Sequence, residues 1–105
     1  MKGWLLLFSA GLFEIGFVYF LKLSDGLSRI KPTLALLTFS LLSFYCLSKS
    51  IKFIPVSIAY TVWTSIGIIG SVLIGILIFS ETFSFTKVTL IFVIAVAVIL
   101  LIFLS

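Results

Sequence analysis

Glu14 is the residue most able to do chemistry, because it lies in the middle of a long apolar run. A charged group at the centre of a membrane span is energetically unfavourable, and such residues usually face a bundle interior or a watery cavity and serve function. No Lys or Arg lies at a similar depth, so no ion pair accounts for it. Loss of water favours the neutral, protonated carboxyl group. An organic cation could replace that proton, and this competition predicts proton-coupled antiport. A purely structural Glu, hydrogen-bonded at a helix contact, is the alternative.

The neighbours of Glu14 on a helical face indicate a cavity. Residues three or four positions away share that face, namely Ala10, Gly11, Phe17 and Val18. Ala10 and Gly11 leave room, and Phe17 offers an aromatic face to a cation. We therefore expect Ala10 and Phe17 to bind substrate, while Gly11 could equally serve helix packing.

Two aromatic residues, Tyr60 and Trp63, also share one helical face because they are three residues apart. A hydroxyl and an indole N–H need hydrogen-bond partners in lipid, and a carboxylate would satisfy them. Tyr60 could instead belong to an interfacial aromatic belt. Ser43 could supply a further hydroxyl, so all three residues are predicted to line the substrate site.

Small residues recur every four positions at Gly67, Ser71 and Gly75. This spacing lets membrane helices approach closely. Gly67 and Gly70 also lower the energy of a helix bend. Packing and a hinge for alternating access are both compatible with this pattern.

Other kinds of chemistry find little support in the sequence. It has no His, its acids are widely spaced, and no nucleophile lies beside a base, so we expect no metal site, no cofactor and no enzymatic activity. The single Cys46 is interpreted as a small packing residue.

The elements that position these residues are transmembrane helices. Of the 105 residues, 63% are hydrophobic and only 10% are charged, too few to give four helices a polar outer face. A spanning helix needs roughly 20 apolar residues. Residues 1–105 are therefore predicted to form one all-α integral membrane domain with four spans, at about 4–21, 32–47, 55–79 and 88–104. Short loops make sequential helices antiparallel neighbours.

Positive charge is almost balanced between the two ends of the spans. The N-terminal side carries Lys2, Lys49 and Lys52. The opposite side carries Lys22, Arg29, Lys31 and Lys87. A protein of fixed orientation usually shows a clear cytoplasmic excess, so the balance predicts insertion in both orientations and an antiparallel dimer with inverted symmetry. A small bias that fixes one orientation is the alternative. The bases are scattered, which favours lipid headgroups over nucleic acid as their partners.

Together these features resemble the small multidrug resistance transporters. The resemblance rests on the length, the four spans and Glu14, and on segments 55–67 (PVSIAYTVWTSIG) and 22–29 (KLSDGLSR). It covers essentially the whole chain. It implies a proton-coupled exporter in the inner (plasma) membrane that works as an antiparallel, dual-topology dimer.

The resemblance also implies roles for individual residues. Glu14 would bind protons and substrate alternately, and Tyr60 and Trp63 would line the site. Ser43 resembles a hydroxyl that contacts the glutamate. Gly67 lies where the third helix of the family is kinked.

Two branches of the family differ in substrate. The branch that exports guanidinium ions typically has Trp near position 17, whereas the branch that exports bulky hydrophobic and quaternary ammonium cations has Gly there and often Tyr at the place of Ser40. Phe17 and Ser40 match neither branch. Because the site-lining positions are apolar, the sequence favours quaternary ammonium or drug-like cations. A guanidinium-selective exporter, a proton-independent lipid or metabolite flippase and a non-transporting membrane subunit are the alternatives.

The fourth span departs from the family at Leu90 and Ala97, which replace two glycines that typically mark the dimer contact. Packing of that contact must therefore differ. A homodimer is expected, and a heterodimer with a related chain is the alternative.

Overall fold

The computed structural model describes residues 2–82 and 84–104, which form four α-helices. They are α1 (Lys2–Leu23), α2 (Ile30–Ser50), α3 (Val56–Leu77) and α4 (Phe85–Leu104). Each is long and apolar enough to cross a membrane. The expected all-α, four-span fold is confirmed.

The helices do not begin and end at the residues predicted for the apolar spans. Lys22 and Lys49 lie inside the last turns of α1 and α2, because a long basic side chain can extend towards the interface without interrupting a helix. Pro55 immediately precedes α3, and Pro32 lies in the first turn of α2, where its missing N–H leaves no intrahelical bond unmade.

A tight turn joins α1 to α2. Its residues Asp25, Gly26 and Leu27 all have positive φ, at 49°, 72° and 69°. Ser24 is fully buried and holds the turn through its hydroxyl. That hydroxyl donates to the Leu21 carbonyl at 2.7 Å and accepts the Leu27 N–H at 3.1 Å.

Helix α1 lies at the centre of the described chain, packed against both α2 and α3. The apolar core lies where these helices meet and comprises Leu7, Ala10, Cys46, Ile54, Ala59, Val62 and Trp63. Helix α4 packs against α3 alone among the described helices, and none of its described residues is buried. Three helices therefore position the polar centre of the chain.

Candidate functional site

A cavity of about 220 Å³ lies between the first three helices. Its lining consists of Glu14 and Phe17 from α1, Ser40, Ser43 and Phe44 from α2, and Trp63 from α3. Glu14 is the only charged residue among these. Three aromatic rings therefore line the same cavity as a single carboxyl group, an arrangement suited to a small cation.

The carboxyl group of Glu14 rests against the backbone of α3 at Gly67. A methyl group placed on Gly67 would lie 2.7 Å from Glu14 Oε2 and 2.8 Å from Cδ. The lack of a side chain at Gly67 is therefore what lets the carboxyl group occupy this place. Oε2 itself is buried and has no hydrogen-bond partner within residues 2–82 and 84–104. A buried polar atom without a partner is energetically costly, so this oxygen is available to a proton or a cation.

A chain of hydrogen bonds links the three helices beside Glu14. Trp63 Nε1 donates to Ser43 Oγ at 2.9 Å, and Ser43 Oγ donates to the Ala10 carbonyl at 2.7 Å. In an α-helix the carbonyl of Ala10 also accepts the backbone N–H of Glu14. Ser43 thus ties the indole of Trp63 to the helical turn that carries the carboxylate.

Within the single chain, these hydrogen bonds differ from two expectations. The indole N–H of Trp63 was expected to bind a carboxylate, and the Ser43 hydroxyl was expected to contact Glu14. In the structure the two groups bind each other and the α1 backbone instead. The reason is geometric, because Ser43 is buried at the contact of the helices and its hydroxyl proton reaches a backbone carbonyl there.

The predicted site residues fall into two groups. Glu14, Phe17, Ser43 and Trp63 meet at the cavity, but Ala10 does not line it because its methyl group is fully buried in the core.

Tyr60 also lies outside the cavity, with 58% of its surface exposed. Its ring does contact that of Trp63, with centroids 5.6 Å apart, so the predicted shared face is present. Phe44 also contacts the Trp63 ring, at the same centroid distance.

Two residues of the lining, Ser40 and Phe44, were not predicted as site residues. Both were visible in the sequence, because Ser40, Ser43 and Phe44 follow the spacing of one helical face. In α2, the spacing of these residues indicates the site, and the type of any single residue does not.

The space beside each glycine near Glu14 is filled by a side chain of a neighbouring helix. Gly11 faces Ile66, where a methyl group would lie 2.6 Å from Cγ2, so the room expected at Gly11 is already occupied. A methyl group on Gly70 would meet Ile15.

Further along α3, Gly75 is covered by the carboxyl group of Glu81, and Ser71 donates its hydroxyl to the Ile68 carbonyl at 2.9 Å. Helix α3 runs continuously from Val56 to Leu77. The glycines therefore act in close packing, and a hinge at Gly67 or Gly70 stays a prediction.

Comparison with known proteins agrees with this architecture. A sequence model of the family described as Small Multidrug Resistance protein matches residues 2–102. A protein of Proteus vulgaris named "Guanidinium exporter" is 36% identical over 80 residues, which cover 76% of this chain and 77% of that protein. The protein of the same name from Salmonella typhimurium is 38% identical over 82 residues, or 78% of each chain. Its namesake in Escherichia coli is 36% identical over 80 residues, or 76% of each chain.

Proposed function

Because the chain belongs to the small multidrug resistance family, we propose that it exports guanidinium ions in exchange for protons that bind at Glu14. The family and its named exporters make the chain a multi-pass transporter of the plasma membrane, not an enzyme. The guanidinium substrate, the role of Glu14 and the dimer described below are our proposal.

The unpartnered Oε2 of Glu14 is the observation that carries the proposal. It lies in a cavity whose other lining residues are uncharged. When the carboxyl group is protonated, the site is neutral. When the proton leaves, the negative charge in these apolar surroundings needs a counter-charge, and a cation supplies it. Proton and cation therefore exclude each other at one carboxyl group.

Guanidinium suits this site better than a bulky cation does. The sequence favoured quaternary ammonium or drug-like cations, but the relatives compared above are named guanidinium exporters, which supports the alternative. Planar guanidinium can donate two parallel hydrogen bonds to a carboxylate, whereas a quaternary ammonium has no N–H to donate.

The aromatic residues complete the proposed site. The faces of Phe17, Phe44 and Trp63 can stabilise a cation within about 6 Å. The Ser43 hydroxyl fixes the Trp63 indole, so the ring needs no reordering when a cation enters.

A second copy of the chain in the opposite orientation is part of the proposal. In the single chain, the Tyr60 ring is largely exposed and α4 has no buried residue among those described. Both surfaces could be covered by a partner, and the near balance of Lys and Arg permits either orientation. A homodimer is the simplest assembly, and a heterodimer with a related chain is the alternative.

Proton release from the purified protein tests the function. Adding guanidinium at constant pH should release protons from the wild type, and the variant Glu14→Gln should release none. The matched control is Glu81→Gln, which removes an exposed acid outside the cavity and should leave the release intact. Full release by Glu14→Gln would refute the proposal. A response to tetraphenylphosphonium but not to guanidinium would assign the chain to the other substrate branch.

A further inference from the structure

Thr64 carries a second buried polar atom that has no hydrogen-bond partner among the described residues. Within residues 2–82 and 84–104, two buried side-chain oxygens lack a hydrogen bond: Glu14 Oε2 and Thr64 Oγ1. Buried polar groups are rarely left unpaired, and each exception calls for an explanation. Thr64 has no role in the proposed exchange cycle.

The buried, unpaired hydroxyl of Thr64 differs from the hydroxyls of most threonines in the described helices. Four other helical threonines, Thr33, Thr38, Thr61 and Thr89, donate to the carbonyl four residues earlier at 2.7–3.1 Å. That bond is the ordinary way for a threonine to satisfy its hydroxyl in a helix surrounded by lipid. Thr64 does not make it, although α3 offers the carbonyl of Tyr60 at the equivalent place.

Thr64 and the carboxyl group of Glu14 lie on the same face of α3. Thr64 is one turn before Gly67, and Cβ positions three residues apart are about 5–6 Å from each other. Glu14 Oε2 lies 2.7 Å from where a Cβ of Gly67 would be. Helical side chains lean towards the N-terminus, so the surface over Gly67 faces the turn that carries Thr64. The two unpaired oxygens therefore lie on one face of α3, about one helical turn apart, and neither is hydrogen-bonded in this conformation.

We propose that the Thr64 hydroxyl donates a hydrogen bond to the Glu14 carboxylate once Glu14 has lost its proton. The inference rests on the proposed exchange function and makes Thr64 a positioning residue for it. A threonine hydroxyl has one donor, and an ionised carboxylate can only accept, so the pair is complementary in that state. Hydrogen bonds to ionised groups are short and about twice as strong as neutral ones.

Other groups near the carboxylate cannot take this role. The Ser43 hydroxyl already donates to the Ala10 carbonyl, and the Trp63 N–H donates to Ser43. The remaining lining residues are Phe17 of α1 and Ser40 and Phe44 of α2, and the Ser40 hydroxyl donates to the Leu37 carbonyl at 2.9 Å. No titratable or charged side chain of α1, α2 or α3 other than Glu14 lines the cavity.

The pH dependence of guanidinium binding by the purified protein tests the inference. Thr64→Val keeps the shape of the side chain and removes its hydroxyl, so the ionised state of Glu14 loses a donor and the proton is held more tightly. We expect the pH of half-maximal guanidinium binding to rise by about one unit, which corresponds to about tenfold weaker binding below that pH. Thr64→Ser restores the hydroxyl and should behave as the wild type.

Thr61→Val is the matched control, because the Thr61 hydroxyl is exposed and donates to the Ser57 carbonyl at 2.8 Å. The inference is overturned if Thr64→Val and Thr61→Val have the same pH profile while the wild type still releases protons. Loss of proton release in the wild type would refute the exchange function instead. If Thr64→Val does not fold, Thr64→Ala carries the same expectation. An infrared difference spectrum gives an independent readout, since the carboxylate band of Glu14 should shift in Thr64→Val and stay unchanged in Thr61→Val.

Discussion

Replacing Gly67 with alanine should displace the Glu14 carboxyl group without lowering the stability of the fold. The added Cβ would lie 2.8 Å from Glu14 Cδ, whereas two carbon atoms prefer at least about 3.5 Å. The carboxyl group therefore has to move by about 0.7 Å away from α3. The fold should survive, because the displaced atoms end a flexible side chain and alanine favours a helix by about 0.5–1 kcal/mol over glycine.

Transport should respond much more strongly than stability. A displacement of about 1 Å at a reacting group can lower a rate by about a hundredfold. We therefore expect proton-driven guanidinium flux in reconstituted vesicles to fall at least about tenfold in Gly67→Ala, with a melting temperature at or above that of the wild type. Flux would be normalised to folded protein in each vesicle preparation.

Gly70→Ala is the control that distinguishes the two roles considered for these glycines. It removes a glycine from the same helix, but its Cβ would meet Ile15 rather than Glu14. If Gly67 provides space for the carboxyl group, folded Gly70→Ala should retain proton-coupled flux. Equal loss in both variants would point to a hinge in α3. Wild-type flux in Gly67→Ala would refute the reasoning altogether.

Two further substitutions test the packing that supports the site. Ser43→Ala should lower the free energy of unfolding by about 1–3 kcal/mol, because it leaves the Trp63 N–H without its acceptor. Ser48→Ala is the control, since that exposed hydroxyl donates only to the carbonyl of its own helical turn; an equal effect of both would contradict the network. Leu7→Ala should lower the free energy of unfolding by about 2–5 kcal/mol, because Leu7 is fully buried. The exposed Leu5 gives the comparison, and Leu5→Ala should change the unfolding free energy little; both can be measured by denaturation in detergent micelles.

The residues whose position in the fold the sequence indicates most directly are those whose chemistry conflicts with lipid. Glu14 is such a residue, and so are the polar atoms of Ser43 and Trp63, which meet at one cavity. Exposing these polar groups to lipid is energetically unfavourable, which restricts them to the interior of the protein. Residue type and spacing therefore predict their position. The four helices follow from composition for the same reason.

Residues that suit lipid and protein interior equally are harder to position from the sequence. Ala10 was expected at the cavity and is buried in the core, and Tyr60 was expected there and is largely exposed. In a soluble protein, a polar outer face would reveal how each helix is rotated. In a membrane helix both faces are apolar, and rotation is decided by close contacts such as that of Gly11 with Ile66. Gly11 is not part of a repeat of small residues, so the sequence contains no signal for this contact.

The peripheral place of α4 has a consequence for the biosynthesis of the protein. Every residue that lines the cavity belongs to α1, α2 or α3, and α4 contacts only α3 among the described helices. All residues that line the cavity have therefore been synthesised before translation reaches Phe85. The nascent chain can bury Glu14 between helices early, and its last span enters the bilayer with most of its surface free for a partner.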